Sequence, residues 1–160
     1  MTVKYMRGDL FTHSALTGKS IVLAHACNTG GSWGGGIAAV FARKYPKANR
    51  QYSEYCHRNS HLLGTSLLLK ADDYDKSKAY IACLFTSDFN QSPEQIVKYT
   101  DQSLQELAKQ LKSLPIETQN GNQVVNMPKI NSGIFGVPWE NTEAVLDKFD
   151  SLDFNVYVID

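Results

Sequence analysis

The chain has 160 residues, with 16 Lys and Arg against 16 Asp and Glu, 42% hydrophobic residues and 20% charged ones. A domain of that length buries roughly 70% of its unfolded surface, so residues 1–160 read as one domain that needs neither disulfides nor a structural metal. The zero formal net charge argues against electrostatically driven binding to nucleic acid or an anionic membrane, but it permits a nucleotide-sized ligand held by backbone amides.

In chain order, a first strand is predicted at Val3–Met6 and a second at Ser20–His25, where Ile21-Val22-Leu23-Ala24 is apolar on consecutive positions. Such runs mark strands covered on both faces. A helix follows at Gly36–Tyr45, with Ile37, Val40, Phe41 and Tyr45 on one side and Pro46 ending it. Another runs through Lys47–Arg58. Strands are predicted at Ser66–Lys70 and Ala79–Phe85, and then a long helix at Glu94–Leu111 with Ser92 and Pro93 as cap and first turn. Leu114–Asn122, with Pro115 and Gly121, reads as a mobile surface loop. Gln123–Met127 is a strand, Trp139–Phe149 a helix and Phe154–Ile159 a sixth strand. Strands alternating with helices give an α/β protein, a three-layer α/β/α sandwich around a mixed, largely parallel six-stranded sheet.

In such sheets ligands sit beyond the carboxyl ends of strands, and two loops of this chain lie there. In Cys27–Ile37, five of the 11 glycines fall within seven residues, after a buried strand and before a helix. Successive amides next to a helix N-terminus form an anion cradle; the other reading is a flexible surface loop. The spacing matches neither the P-loop nor the dinucleotide fingerprint. In Met127–Trp139, Gly133 and Gly136 bracket Ile134-Phe135, and Pro138 suits a first helical turn. Two glycine-bearing loops together suggest a diphosphate held between them.

Gly8-Asp9, His25-Ala26-Cys27-Asn28, Gly34-Gly35-Gly36-Ile37-Ala38 and Asn131-Ser132-Gly133-Ile134-Phe135-Gly136 resemble the ordered motifs of the macrodomain family, which binds ADP-ribose. More narrowly, Gly31–Ala38 together with Asn131–Trp139 is similar to the fungal ADP-ribose 1″-phosphate phosphatases. The resemblance implies a macrodomain fold and a metal-independent phosphatase with no cofactor, which acts on small ADP-ribose derivatives. It implies that Asp9 accepts from the adenine amine, that Gly8 and Leu10 beside it belong to the substrate-binding set, and that Tyr157 and Ile159 at the chain end touch the adenine. Ala26, Cys27 and Asn28 would border the distal ribose, Asn28 holding its hydroxyls. Gly34, Gly35, Gly36 and Ile37 would line that ribose and one phosphate, and Asn131, Ser132, Gly133, Ile134, Phe135 and Gly136 would wrap the diphosphate. Trp33 and Phe135 would flank the ribose. Alternative functions are a reader of ADP-ribose and a hydrolase acting on ADP-ribosylated proteins. The covalent lysine route of the terminal ADP-ribose protein glycohydrolase branch is closed, because Ser87 and Phe135 stand where its lysine and aspartate would be.

His25 is the leading candidate for chemistry, as acid, base or nucleophile toward phosphorus. A neutral imidazole packed inside the sheet is the equal alternative, since strand residues alternate sides. Asp88 is a candidate for orienting water or His25, with a turn-forming Asp as the other reading. Asn28 completes the catalytic set. Cys27 lacks the arginine spacing of cysteine phosphatases and reads as a buried thiol. Asp73-Tyr74-Asp75 lies in a charged turn and is set aside as a phosphatase motif. The three cysteines, Cys27, Cys56 and Cys83, form no C-x-x-C pair, and His13, His57 and His61 have no ligand spacing, so no metal is expected. No apolar leader or membrane span of about 18 residues is visible. The expectation is a monomer in the cytoplasm or nucleus.

Overall fold

The computed structural model describes residues 2–12 and 18–159; His13 lies outside them. The strands are β1 (Val3–Arg7), β2 (Ile21–Asn28), β3 (Ser66–Lys70), β4 (Ala79–Ser87), β5 (Thr118–Gln119), β6 (Asn122–Met127) and β7 (Leu152–Val158), and the helices are α1 (Gly36–Lys44), α2 (Pro46–Arg58), α3 (Tyr74–Ser77), α4 (Pro93–Leu111) and α5 (Trp139–Leu146). They build one mixed sheet in the order β1-β7-β6-β2-β4-β3, with β5 paired to β6. β3 and β5 run antiparallel to their partners, and the other pairings are parallel.

The side-chain alternation of β2 sorts its residues into two cores. Val22 and Ala24 pack with Leu104, Leu107 and Leu111 of α4 and Leu146 of α5. Ile21, Leu23 and Cys27 pack on the opposite face with Phe41 of α1 and Tyr52 of α2. That double cover is why β2 and β4 read as continuous apolar runs. α4 starts on a capping box in which the Ser92 hydroxyl accepts from Gln95 N and the Gln95 side chain accepts from Ser92 N. The first turn of α2 is capped from a distance, since Lys47 N and Ala48 N donate to the Asp72 carboxylate at 2.8 and 2.9 Å. This places a negative charge at the positive end of the helix. Asp73 and Asp75 belong to the adjoining turn and to α3.

Three expectations are corrected. The sheet has seven strands among the described residues rather than six, because Asn120 and Gly121 both take positive φ (53° and 84°) and close a tight hairpin between β5 and β6. The stretch read as a mobile loop is therefore tied to the sheet. α5 stops at Leu146 instead of Phe149. β2 continues past His25 to Asn28, because Ala26 and Cys27 pair with Leu84 and Phe85 of β4; His25 is therefore a mid-strand residue and not a terminal one.

Candidate functional site

A cavity of about 600 Å³ opens at the carboxyl ends of β2, β4 and β6. Its floor is Ala26-Cys27-Asn28, and its walls are the glycine loop leading to α1, the Pro128–Phe135 loop and Phe89.

The first loop is shaped by Asn28. A register shift between Cys27 and Asn28 breaks the strand alternation, as a bulge does, and turns Asn28 toward α2. Its Oδ1 accepts from Gly30 N at 3.0 Å, Ser32 N at 3.4 Å and the Tyr52 hydroxyl at 3.1 Å, while its Nδ2 donates to Ser32 O at 2.7 Å. Gly31 then passes against α2 at φ 85°, where a Cβ would meet the Ser53 backbone at 3.2 and 3.3 Å. Only glycine combines that angle with that approach. The Ser53 hydroxyl donates to Gly31 O at 2.5 Å.

The second loop is anchored by Asn131, which is 5% exposed and has φ 66°. Its Oδ1 accepts from the Thr86 hydroxyl at 2.9 Å, and its Nδ2 donates to Thr100 Oγ1 at 2.9 Å and Thr142 Oγ1 at 3.4 Å. Its carbonyl accepts from Val137 N at 2.9 Å. The two loops meet where Ile134 Cδ1 lies 2.7 Å from the place a Cβ on Gly35 would occupy.

Of the residues expected to bind, Ala26, Cys27, Asn28, Trp33, Gly34, Gly35, Gly36, Ile37, Asn131, Gly133, Ile134 and Phe135 line the cavity. Ser132 and Gly136 belong to the same loop outside that lining. The side chains of Asn28 and Asn131 hydrogen-bond within their own loops and to the elements beneath them. Trp33 is 5% exposed and stacks on Tyr52 at 4.9 Å, so it is a core residue with one edge at the cavity rather than a free lid. Its Nε1 is buried without an acceptor among the described residues. Gly8, Asp9, Tyr157 and Ile159 gather at the carboxyl ends of β1 and β7, where Met6 pairs with Tyr157 and Gly8 N donates to Val158 O at 3.0 Å. Asp9 Oδ1 accepts from Phe11 N at 2.9 Å, and Leu10 is buried.

The structure does not bring His25 and Asp88 together in the cavity. His25 is wholly buried, stacked on Phe41 at 4.0 Å and 7° and edge-on to Trp33 at 4.8 Å; its parity in β2 points it into the α1–α2 layer. Asp88 lines a separate hollow of about 420 Å³ with Thr29, His61 and Tyr99. Its Oδ1 accepts from Asn90 N at 3.1 Å and Gln91 Nε2 at 2.7 Å, the bonds of a turn-forming aspartate. Both placements follow the packing readings left open by the sequence.

His25, Cys27 and Cys83 form a buried cluster whose donor atoms lie within 4.8 Å of one another. Cys27 Sγ is nearly equidistant from His25 Nδ1 and Nε2, at 3.7 and 3.6 Å. A sulfur so placed lies over the ring rather than along one nitrogen's lone pair, which is packing geometry and not that of a ligand set. Burial favours the neutral Cys27 thiol, but the neighbouring Cys83 and His25 outweigh it and hold Cys27 at about 5. Burial pushes Cys83 well up.

Sequence reasoning missed Phe89, Lys129, Ser32, Gly30, Ala38, Pro128 and Ile130, all of which line the cavity. Lys129 matters most, because it is the one Lys, Arg, Asp or Glu among the described residues of that lining. Its position inside the second loop was the available signal. Phe89 comes from a strand–helix connector whose place beside the cavity depends on the strand order.

The Macro domain family model matches residues 24–146. The chain is 98% identical, over the full length of both, to the ADP-ribose 1″-phosphate phosphatase of Lodderomyces elongisporus. It is 59% identical to that of Candida albicans, covering 98% of this chain and 99% of the relative. Among solved structures, the macrodomain of Mycobacterium tuberculosis DarG superposes with a TM-score of 0.71 at 23% identity, covering 97% and 96% of the two chains. Thermosipho africanus DarTG in complex with ADP-ribose also superposes with a TM-score of 0.71, at 17% identity, covering 99% of this chain and 42% of that one. A family match across both cavity loops, together with relatives aligned end to end, makes this chain a member of the Macro domain family.

Proposed function

We propose that the protein hydrolyses ADP-ribose 1″-phosphate to ADP-ribose and phosphate. The observation that carries this reading is the cavity between the two glycine-bearing loops, in a chain whose 98% identical relative bears that activity as its name. The amides of Gly34–Ile37 and Gly133–Phe135 hold the diphosphate, with Lys129 adding a positive charge. Asp9 and Tyr157, at the β1–β7 edge, receive the adenine. Binding energy from these remote parts positions the terminal phosphate.

The described cavity wall supplies amide donors and a cation, and His25 and Asp88 lie outside it. Such a wall suits a path whose leaving group needs no proton from a side chain, because the monoanion of the phosphate monoester carries its own and departs as hydrogenphosphate. The C1″–O bond breaks and its electron pair departs with phosphate, an anion stabilised by loop amides and Lys129. Water adds to C1″ and passes its proton to solvent or to the released phosphate, leaving ADP-ribose.

The test is phosphate release from purified protein in chelator, run in ¹⁸O-water. Released phosphate free of solvent oxygen is expected. Phosphate carrying ¹⁸O would replace the path with attack at phosphorus. No release, with ADP-ribose still bound, would make the protein a reader of ADP-ribose.

A further inference from the structure

Phe89 sits in the connector between β4 and α4 with φ 75°, a left-handed conformation that a residue with a β-carbon adopts at an energetic penalty. It is also 64% exposed, so its ring gains little from the core. Glycine or asparagine would make the same turn more easily. The backbone is held there by a closed set of bonds: Phe89 N donates to Ser87 Oγ at 2.9 Å, Asp88 N to Gln91 Oε1 at 2.8 Å, and both Asn90 N and Gln91 Nε2 to Asp88 Oδ1. A strained, exposed aromatic on a rigid turn brings no evident return to folding, and such outliers collect at ligand-binding positions.

The ring has a definite neighbour. Phe89 meets Phe135 edge to face, with centroids 5.6 Å apart. β4 and β6 flank β2 in the sheet, so these two rings, from the loops that follow β4 and β6, bridge the carboxyl end of β2 across the cavity floor. Ile134, 68% exposed, stands beside them. The same cavity carries Ser32 and the backbone of Gly34 and Gly35. One side is apolar and aromatic and the other is hydrogen-bonding, which matches a furanose with carbon–hydrogen faces and hydroxyl edges.

We infer that Phe89 is a substrate-contacting specificity residue that packs on the terminal ribose and completes an aromatic clamp with Phe135. The inference rests on the ADP-ribose reading above and extends it to the moiety the clamp selects.

The test compares wild type with Phe89→Asn, which keeps the turn conformation, by calorimetric titration with ADP-ribose and with ADP, which lacks the terminal ribose. The expected result is about a tenfold loss of ADP-ribose affinity, an ADP affinity unchanged within twofold, and a melting temperature equal to or above wild type. Equal losses for both ligands, no loss for either, or a melting temperature lowered by several degrees would overturn it, the last by showing a structural role. Wild type that fails to bind ADP-ribose at all would instead remove the reading beneath it.

Discussion

Replacing Asn131 probes how the second loop is held. Thr100 Oγ1 donates to Ile96 O at 2.7 Å, so it meets Asn131 Nδ2 as an acceptor at 2.9 Å. That fixes the carboxamide, with its oxygen toward the Thr86 hydroxyl at 2.9 Å. In Asn131→Ala the buried Thr86 hydroxyl loses its acceptor and Thr100 loses a donor. A buried unsatisfied group costs about 1–3 kcal/mol, and alanine in the left-handed region adds about 1 kcal/mol. The expected loss is about 3 kcal/mol, or roughly 10 °C in melting temperature for a chain this size. Asn131→Gly relieves the backbone part and should recover about 1 kcal/mol. Asn131→Asp should do no better than alanine, because the Thr100 proton is committed to Ile96 and a buried carboxylate would face an acceptor. Urea denaturation of the three variants checks this. An alanine variant within about 1 kcal/mol of wild type, the lower limit for such a group, or an aspartate variant more stable than alanine, would refute the reasoning.

Gly35→Ala places a methyl group against the flexible end of Ile134, so it should leave stability within about 1 kcal/mol of wild type while narrowing the gap between the loops. ADP-ribose affinity should fall about tenfold, worth about 1.4 kcal/mol, and Ile134→Ala in the same chain should restore most of it. His25→Phe keeps the stack on Phe41, and turnover should remain within a few-fold of wild type. A loss of a hundredfold or more with ADP-ribose affinity intact would make His25 a catalytic group. Cys27 is 2% exposed and packs in the α1–α2 core with Phe41 and Tyr52, so iodoacetamide should leave it unmodified in the folded protein and alkylate it only after denaturation; rapid alkylation of the native protein would contradict that packing.

The central strands were legible because burial on both faces leaves an unbroken apolar run, as in Ile21–Ala24 and Ile81–Phe85. Their ends were not. Ala26-Cys27-Asn28 and Thr86-Ser87 look like connectors; Ala26 and Cys27 are strand because they pair with Leu84 and Phe85 of β4, and the two segments meet only where Asn28 pairs with Ser87. The fate of His25 followed from that extension, since which core a strand residue enters depends on parity along the whole strand. The Asn120-Gly121 hairpin did carry a local signal, outweighed in the reading by the proline and polar residues around it. The two glycine loops were readable from composition and position. Phe89 reaches the cavity through the strand order β6-β2-β4, which no local pattern encodes.

A crystal structure of the protein with ADP-ribose tests the central claim most directly. The diphosphate should lie within hydrogen-bonding distance, about 3 Å, of amides from both Gly34–Ile37 and Gly133–Phe135, with the terminal ribose under Phe89 and Phe135. A ligand seated instead in the hollow beside His61 and Asp88, with the two loops closed on each other, would contradict it.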